Sequence, residues 1–252
     1  MPGINERAYK EIYEDWTGPT NIGTSATTAG VTWMNSSDGG NTAFVITDDA
    51  EGPVAQGATD GTDDDMCELA HRALSWSVQN GQLTMETRVR VTVGAVASVA
   101  LSVGFNDDQL EDSNTLPAEL ATATWTSNAA SFVGVVFDPD ATNANFHAFW
   151  VDDDNDSTEA LADLRMVGLA PVLDKWFGVK IVLNDRGSGK GARAEFTVCE
   201  ESTGRTVQKV FTTNLDRDVL LAPHIAFENR AGVAHTVQID YIHVMQSVSV
   251  VA

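Results

Sequence analysis

Thr236-Val-Gln-Ile-Asp-Tyr-Ile-His-Val-Met-Gln246 is the stretch on which the fold turns. A strand places successive side chains on opposite faces, so a period of two should divide these residues into two sets. Val237, Ile239, Tyr241 and His243 then point one way, and Asp240, Ile242 and Val244 the other.

The same period runs through the chain before it. Leu83 to Val93 alternates apolar and polar residues, with odd positions predicted to face a core and even positions solvent. Further strands are expected at 42–47, 99–105, 131–137, 145–151, 176–183, 192–199, 205–211 and 220–228. The turns between them are rich in Gly, Asp, Asn and Pro, as in Asp138-Pro-Asp-Ala-Thr-Asn143 and Gly187-Ser-Gly-Lys-Gly191. Many strands with little helix between them predict an all-β, antiparallel β-sandwich of the jelly-roll kind.

Residues 4–16 look different. Tyr9, Ile12, Tyr13 and Trp16 recur at three- and four-residue spacing, which predicts a short helix with an aromatic stripe, capped by Asn5 and stopped at Gly18-Pro19. The expected organisation is an N-terminal arm with a short helix over 1–24 and one sandwich over 25–252. Packed on its own sandwich, the stripe is structural. Projected outward, its four apolar residues are partner-binding anchors.

Bulk properties narrow the function. A formal net charge of −21 argues against nucleic acid and against anionic membranes, which need clustered Lys and Arg. With five Lys against ten Arg, it suits a soluble surface or one adapted to salt. No apolar run is long enough to span a bilayer, and Met1-Pro-Gly-Ile-Asn-Glu-Arg7 has no apolar signal core, so assembly in a cytoplasm is expected. Cys67 and Cys199 form no C-x-x-C pair. Cys199 is expected to fill core space, with a Cys67–Cys199 disulfide as the alternative.

The strand patterns resemble the concanavalin A-like lectin/glucanase (laminin-G-like) jelly rolls. The resemblance rests on Leu83–Val93, on Asp174-Lys-Trp-Phe-Gly-Val-Lys-Ile-Val-Leu183, on Ile225–Arg230 and on the Ile239–Val244 run, so it covers about residues 65–247. It implies a fold that hosts hydrolases, sugar binders and structural modules. A hydrolase of this kind carries paired carboxylates on one strand, as in E-x-D-x-x-E, and no such stretch exists here. The acidic clusters Asn106–Asp112, Phe137–Asp140 and Val151–Asp156 read as turns, so their carboxylates are expected to be solvated and the protein non-enzymatic. His71, His147, His224, His235 and His243 form no triad pattern, and His147 and His243 read as structural.

Asp152, Asp154 and Asp156 have the alternate spacing of a calcium loop, but Ser157 stands where such a loop needs glycine. No metal or cofactor is therefore expected, with these three the candidates if calcium binds. Trp76, Trp150 and Trp176 fall within strand patterns and are expected in the core.

As a whole the chain resembles the capsid decoration or cement proteins of tailed bacteriophages. That resemblance implies a virion surface protein assembled in a host cytoplasm as a homotrimer, bound to the major capsid protein through Tyr9, Ile12, Tyr13 and Trp16. The alternative is a carbohydrate-binding, lectin-like module that attaches to glycans through exposed aromatics near the 107–112 or 152–156 loops. A divergent glycoside hydrolase is the third reading.

Overall fold

Alternation of apolar and polar residues builds two facing sheets. The computed structural model describes residues 9–18, 22–23, 32–38, 40–111 and 115–247. In chain order the strands begin with β1 (Tyr9–Glu14), β2 (Ile22–Gly23), β3 (Trp33–Ser37), β4 (Thr42–Asp49), β5 (Gly52–Ala58) and β6 (Met66–His71). They continue with β7 (Leu83–Val93), β8 (Val99–Asn106), β9 (Ala118–Ala121), β10 (Thr124–Ser127), β11 (Phe132–Phe137) and β12 (Phe146–Asp152). After β13 (Asn155–Asp156) comes the single helical turn α1 (Leu161–Leu164). The last strands are β14 (Phe177–Asp185), β15 (Ala192–Glu200), β16 (Arg205–Thr212), β17 (Ala222–Asn229) and β18 (Thr236–Ser247).

Sheet I runs β16-β15-β14-β7-β18-β5-β4, with β1 added to β18. Sheet II runs β13-β12-β11-β8-β17-β6-β3-β2. Pairings are antiparallel except β2 with β3. Consecutive strands repeatedly change sheets, as from β5 to β6, β7 to β8 and β17 to β18, which is jelly-roll topology.

Between the sheets, Leu83, Met85, Val89 and Val91 of β7 meet Val99, Leu101, Val103 and Phe105 of β8 in one core. Aromatic pairs join the layers: Phe146 with Phe177 at 5.5 Å, Trp150 with Phe196 at 6.3 Å and Phe44 with Phe227 at 5.8 Å between ring centroids. Each such ring contributes about 1.5–3 kcal/mol by burial, plus its packing geometry.

The closing strand departs from simple alternation. β18 has a bulge between Ile239 and Ile242, so its phase slips by one residue. Val237, Ile239, Ile242 and Val244 are therefore all buried, while Tyr241 and His243 face outward, which corrects the division expected from sequence. The buried Thr87 hydroxyl donates to the Tyr241 carbonyl at 2.6 Å and serves the backbone where the ladder is disturbed.

The predicted N-terminal helix is also corrected: residues 9–14 are the strand β1, registered against β18 from Tyr9–Ser247 to Glu14–Ile242. Past its bulge, β18 leaves β5 and offers a free edge, and Tyr-x-x-Ile-Tyr composition suits a strand well enough to fill it. A tertiary edge thus overrides a local helical spacing. The expected cap Asn5 and the expected domain boundary at 24 lie outside the described residues.

The outer face of sheet II is not open. Residues 107–111 and 115–131, between β8 and β11, pack over it, with β9 and β10 forming a small separate hairpin. Ala118 and Ala129 from this cover bury against Phe132, Val136, Phe149 and Val151, and Leu116 buries against Met66, Ala100 and Ala226. Gly104 and Gly134 pair on the same face, where an added Cβ would lie 2.9 Å and 2.3 Å from the Phe132 ring, so only glycine leaves room for it.

Candidate functional site

A groove of about 630 Å³ opens at one end of the sandwich. Three segments wall it: 155–159 after the β12–β13 turn, 186–191 between β14 and β15, and 212–216 after β16. Asp153 and Asp154 take φ of 49° and 60°, the left-handed pair that a two-residue hairpin turn requires, and short polar side chains tolerate it best. The Asn155 amide donates to the carbonyls of Asp153 (2.7 Å) and Asp152 (3.3 Å), which fixes the turn. The acidic run Val151–Asp156 is thereby explained by turn chemistry.

The second wall depends on Gly191. Its φ is 65°, and a Cβ there would lie 1.7 Å from the Thr213 carbonyl oxygen. That close approach lets Thr213 donate its N–H to the Ala192 carbonyl at 2.8 Å and carries the third wall across. The Asn214 amide then donates to the Asn155 carbonyl at 3.2 Å and links the first and third walls. The Trp150 ring forms the floor, 3% exposed and wedged between Phe196 and Phe211.

Most lining residues are polar in type: Ser157, Thr158 and Thr212 carry hydroxyls, Asn214 an amide, Asp156, Glu159 and Asp216 carboxylates, and Arg186 and Lys190 cations. With both charge signs and several neutral donors and acceptors it offers many directional hydrogen bonds, and its surface is divided about evenly between polar and apolar atoms.

The three calcium candidates do not converge. Asp152 is buried and accepts from the Ser131 hydroxyl at 3.2 Å, and burial pushes its carboxyl above the ordinary range. Asp154 is exposed on the turn, and Asp156 accepts from the Ser127 hydroxyl. Among the described residues no group of three or more His, Cys, Asp or Glu is placed to hold a metal.

The four partner-binding candidates are split by the strand. Tyr9 and Tyr13 stand 59% and 61% exposed on the outer face of sheet I, where Tyr13 stacks on Tyr241 at 6.2 Å and meets the His243 edge at 5.6 Å. Ile12 points inward onto the core, and Trp16 is 2% exposed with its ring 6.0 Å from that of Trp33. Cys199 is half-buried rather than a core residue, and it and Cys67 are both free thiols. Trp76, Trp150 and Trp176 are buried as expected, Trp176 beneath the guanidinium groups of Arg88 and Arg90.

The expectation that acidic side chains decorate turns fails beneath the cover. Glu68, His224 and Glu111 come together there: His224 Nε2 lies 3.0 Å from Glu68 Oε2, and the Glu111 N–H donates to the same oxygen at 3.0 Å. Beside them Arg230 bridges Asp138 (2.9 Å), Glu228 and Glu119 (3.5 Å). Burial pushes the Glu228 carboxyl up to about 8 against the pull of Arg230. The sequence held a signal for these, a lone charge within an apolar strand, as at Glu68 in Met66-Cys-Glu-Leu-Ala and Glu228 after Ile225-Ala-Phe.

No known family model matches this chain, and no curated protein matches it. Among solved structures it is similar to a protein of unknown function, SO2946 from Shewanella oneidensis MR-1, at 13% identity and a TM-score of 0.60, covering 96% of this chain and 89% of that one. Lectin I of Ulex europaeus, solved with the methyl glycoside of alpha-L-fucose, is 12% identical with a TM-score of 0.56, covering 95% and 98%. The Lotus tetragonolobus seed lectin is 10% identical with a TM-score of 0.55, covering 95% and 100%. At these identities the likeness establishes the fold alone: the chain has the concanavalin A-like jelly roll also seen in these legume lectins.

Proposed function

We propose that the protein binds carbohydrate, without cleaving it, in the groove walled by residues 155–159, 186–191 and 212–216. The observation that carries this reading is the lining: hydroxyl, amide, carboxylate and cationic groups over a Trp150 floor, in a space of about 630 Å³. A sugar presents a dense set of hydroxyls, each donor and acceptor, and such a wall offers them hydrogen-bond partners of both kinds. The solved lectin structures of the same fold support the direction of the reading.

Binding without turnover is supported by the sequence, in which no strand carries the paired-carboxylate pattern E-x-D-x-x-E. Glycoside cleavage uses two carboxyl groups that flank the scissile bond. Three carboxylates, Asp156, Glu159 and Asp216, line the groove, and Asp156 is engaged by Ser127, while Glu68 and Glu111 are buried beneath the cover. Capsid decoration stands behind the glycan reading, since two of the four anchors it relied on, Ile12 and Trp16, pack into the sandwich itself.

A glycan array probed with and without calcium tests the proposal. Thr158→Trp, at an exposed position in the groove wall, fills the space and is expected to abolish array binding while leaving the fold unchanged by circular dichroism. Lys190→Ala is expected to weaken binding by the value of a charge-assisted hydrogen bond, about 1.5–3 kcal/mol. An empty array in both conditions, or undiminished binding by the Thr158→Trp variant, contradicts the reading.

A further inference from the structure

Strands β6, β17 and β8 are neighbours in sheet II and turn Glu68, His224, Ser102 and Asn106 to its outer face, independent of the groove. All four side chains are fully buried, and residues 107–111 fold back onto Glu68 and Asn106 beside His224. The fastening is polar. The Asn106 amide donates to Glu111 Oε1 at 2.5 Å, the Glu111 N–H donates to Glu68 Oε2, and the Gln109 amide donates to the Arg72 carbonyl at 2.5 Å. Four atoms within the cluster have no hydrogen-bond partner among the described residues: Glu68 Oε1, His224 Nδ1, Asn106 Oδ1 and Ser102 Oγ. Unpaired buried polar atoms are costly, so this contact is held at a free-energy disadvantage that solvation would relieve.

The charges around Glu111 set the direction of that relief. Facing it are Glu68 from β6, His224 from β17 and Asp108 from its own segment, while β8 contributes only the neutral Ser102 and Asn106. Burial, the largest influence, and the neighbouring Asp108 and Glu68 carboxyls oppose a negative charge on Glu111, while His224 and the Asn106 amide favour it.

We propose that Glu111 is a proton-controlled latch: while its carboxyl holds a proton, residues 107–111 stay seated on sheet II, and loss of that proton lifts them and uncovers the strip formed by Glu68, His224 and Asn106. Burial pushes the Glu111 carboxyl above its ordinary value, in the sense the latch requires. The seated form holds the proton more tightly than the lifted form, so seating is favoured at low pH and is lost as pH rises through the seated-form value.

Hydrogen–deuterium exchange of the full chain from about pH 5 to about pH 9, corrected for the intrinsic rate, reads the latch directly. Protection of residues 107–111 is expected to fall by up to about tenfold per pH unit across the transition, the limit for one linked proton. Glu111→Gln is expected to remove that dependence, and Glu228→Gln to leave it in place. A flat wild-type profile overturns the proposal, whether or not the Glu111→Gln protein folds. Loss of the transition in Glu228→Gln moves the latch to another carboxyl and overturns it too.

Discussion

Glu228 lies at the far end of a strand whose neighbours Ile225, Ala226 and Phe227 are apolar and buried, and its carboxyl is pushed up to about 8. A carboxyl with a raised folded-state value favours the folded form while protonated, and that advantage is lost as pH rises from the ordinary glutamate value through about 8. His147 is the opposite case. Burial lowers it to about 4, so it supports the fold while neutral and withdraws that support as pH falls from about 6.5. Stability measured by urea denaturation is therefore expected to peak in the weakly acidic range. Glu228→Gln is expected to flatten the alkaline limb by up to about 1.4 kcal/mol per pH unit, and an unchanged limb contradicts the account of this residue. A sequence pattern shows that a charge interrupts an apolar strand. It does not show that a distant cover, here 107–111 and 115–131, will close over that charge.

At the scale of elements, β1 and β18 decide how the N-terminal region is used. Trp16 fills the core beside Trp33, so Trp16→Ala is expected to cost about 3–5 kcal/mol in chemical denaturation, the range for emptying a large aromatic site. A detachable arm predicts almost no change. The bulge in β18 has its own test. Thr87→Val keeps the shape of the side chain but removes the hydroxyl that serves the Tyr241 carbonyl, and is expected to cost about 1–3 kcal/mol. Most strands were legible because apolar residues alternate without interruption, as in β7, β14 and β15. The bulge was not, since Tyr241-Ile242 reads equally well in either phase and only pairing with β7 fixes which side chain turns inward. The strand β1 was hidden for a related reason. Spacings of three and four residues fit a helix face, and the edge that captures the segment is made more than two hundred residues later.

For the molecule as a whole, the jelly roll was legible from the count and spacing of strands, whereas the groove was not. Its walls come from turns near 153, 188 and 214 that meet only after β12, β14, β15 and β16 have paired, and no local pattern announces that meeting. The individual turns were readable: Gly187–Gly191 was expected as a hairpin and connects β14 to β15. The acidic surface has a consequence at this scale. With a net charge of −21, an anionic polysaccharide meets a long-range repulsion that salt screens, so any binding of such a ligand is expected to strengthen as ionic strength rises, while a neutral glycan is indifferent. Array binding repeated at low and high salt checks this.

The most direct test of the central claim is backbone amide chemical-shift mapping of the labelled protein titrated with the strongest glycan from the array. The account predicts that the perturbed amides cluster at 155–159, 186–191 and 212–216. Perturbations centred on the Tyr9, Tyr13 and Tyr241 face of sheet I, or none anywhere at saturating glycan, contradict it.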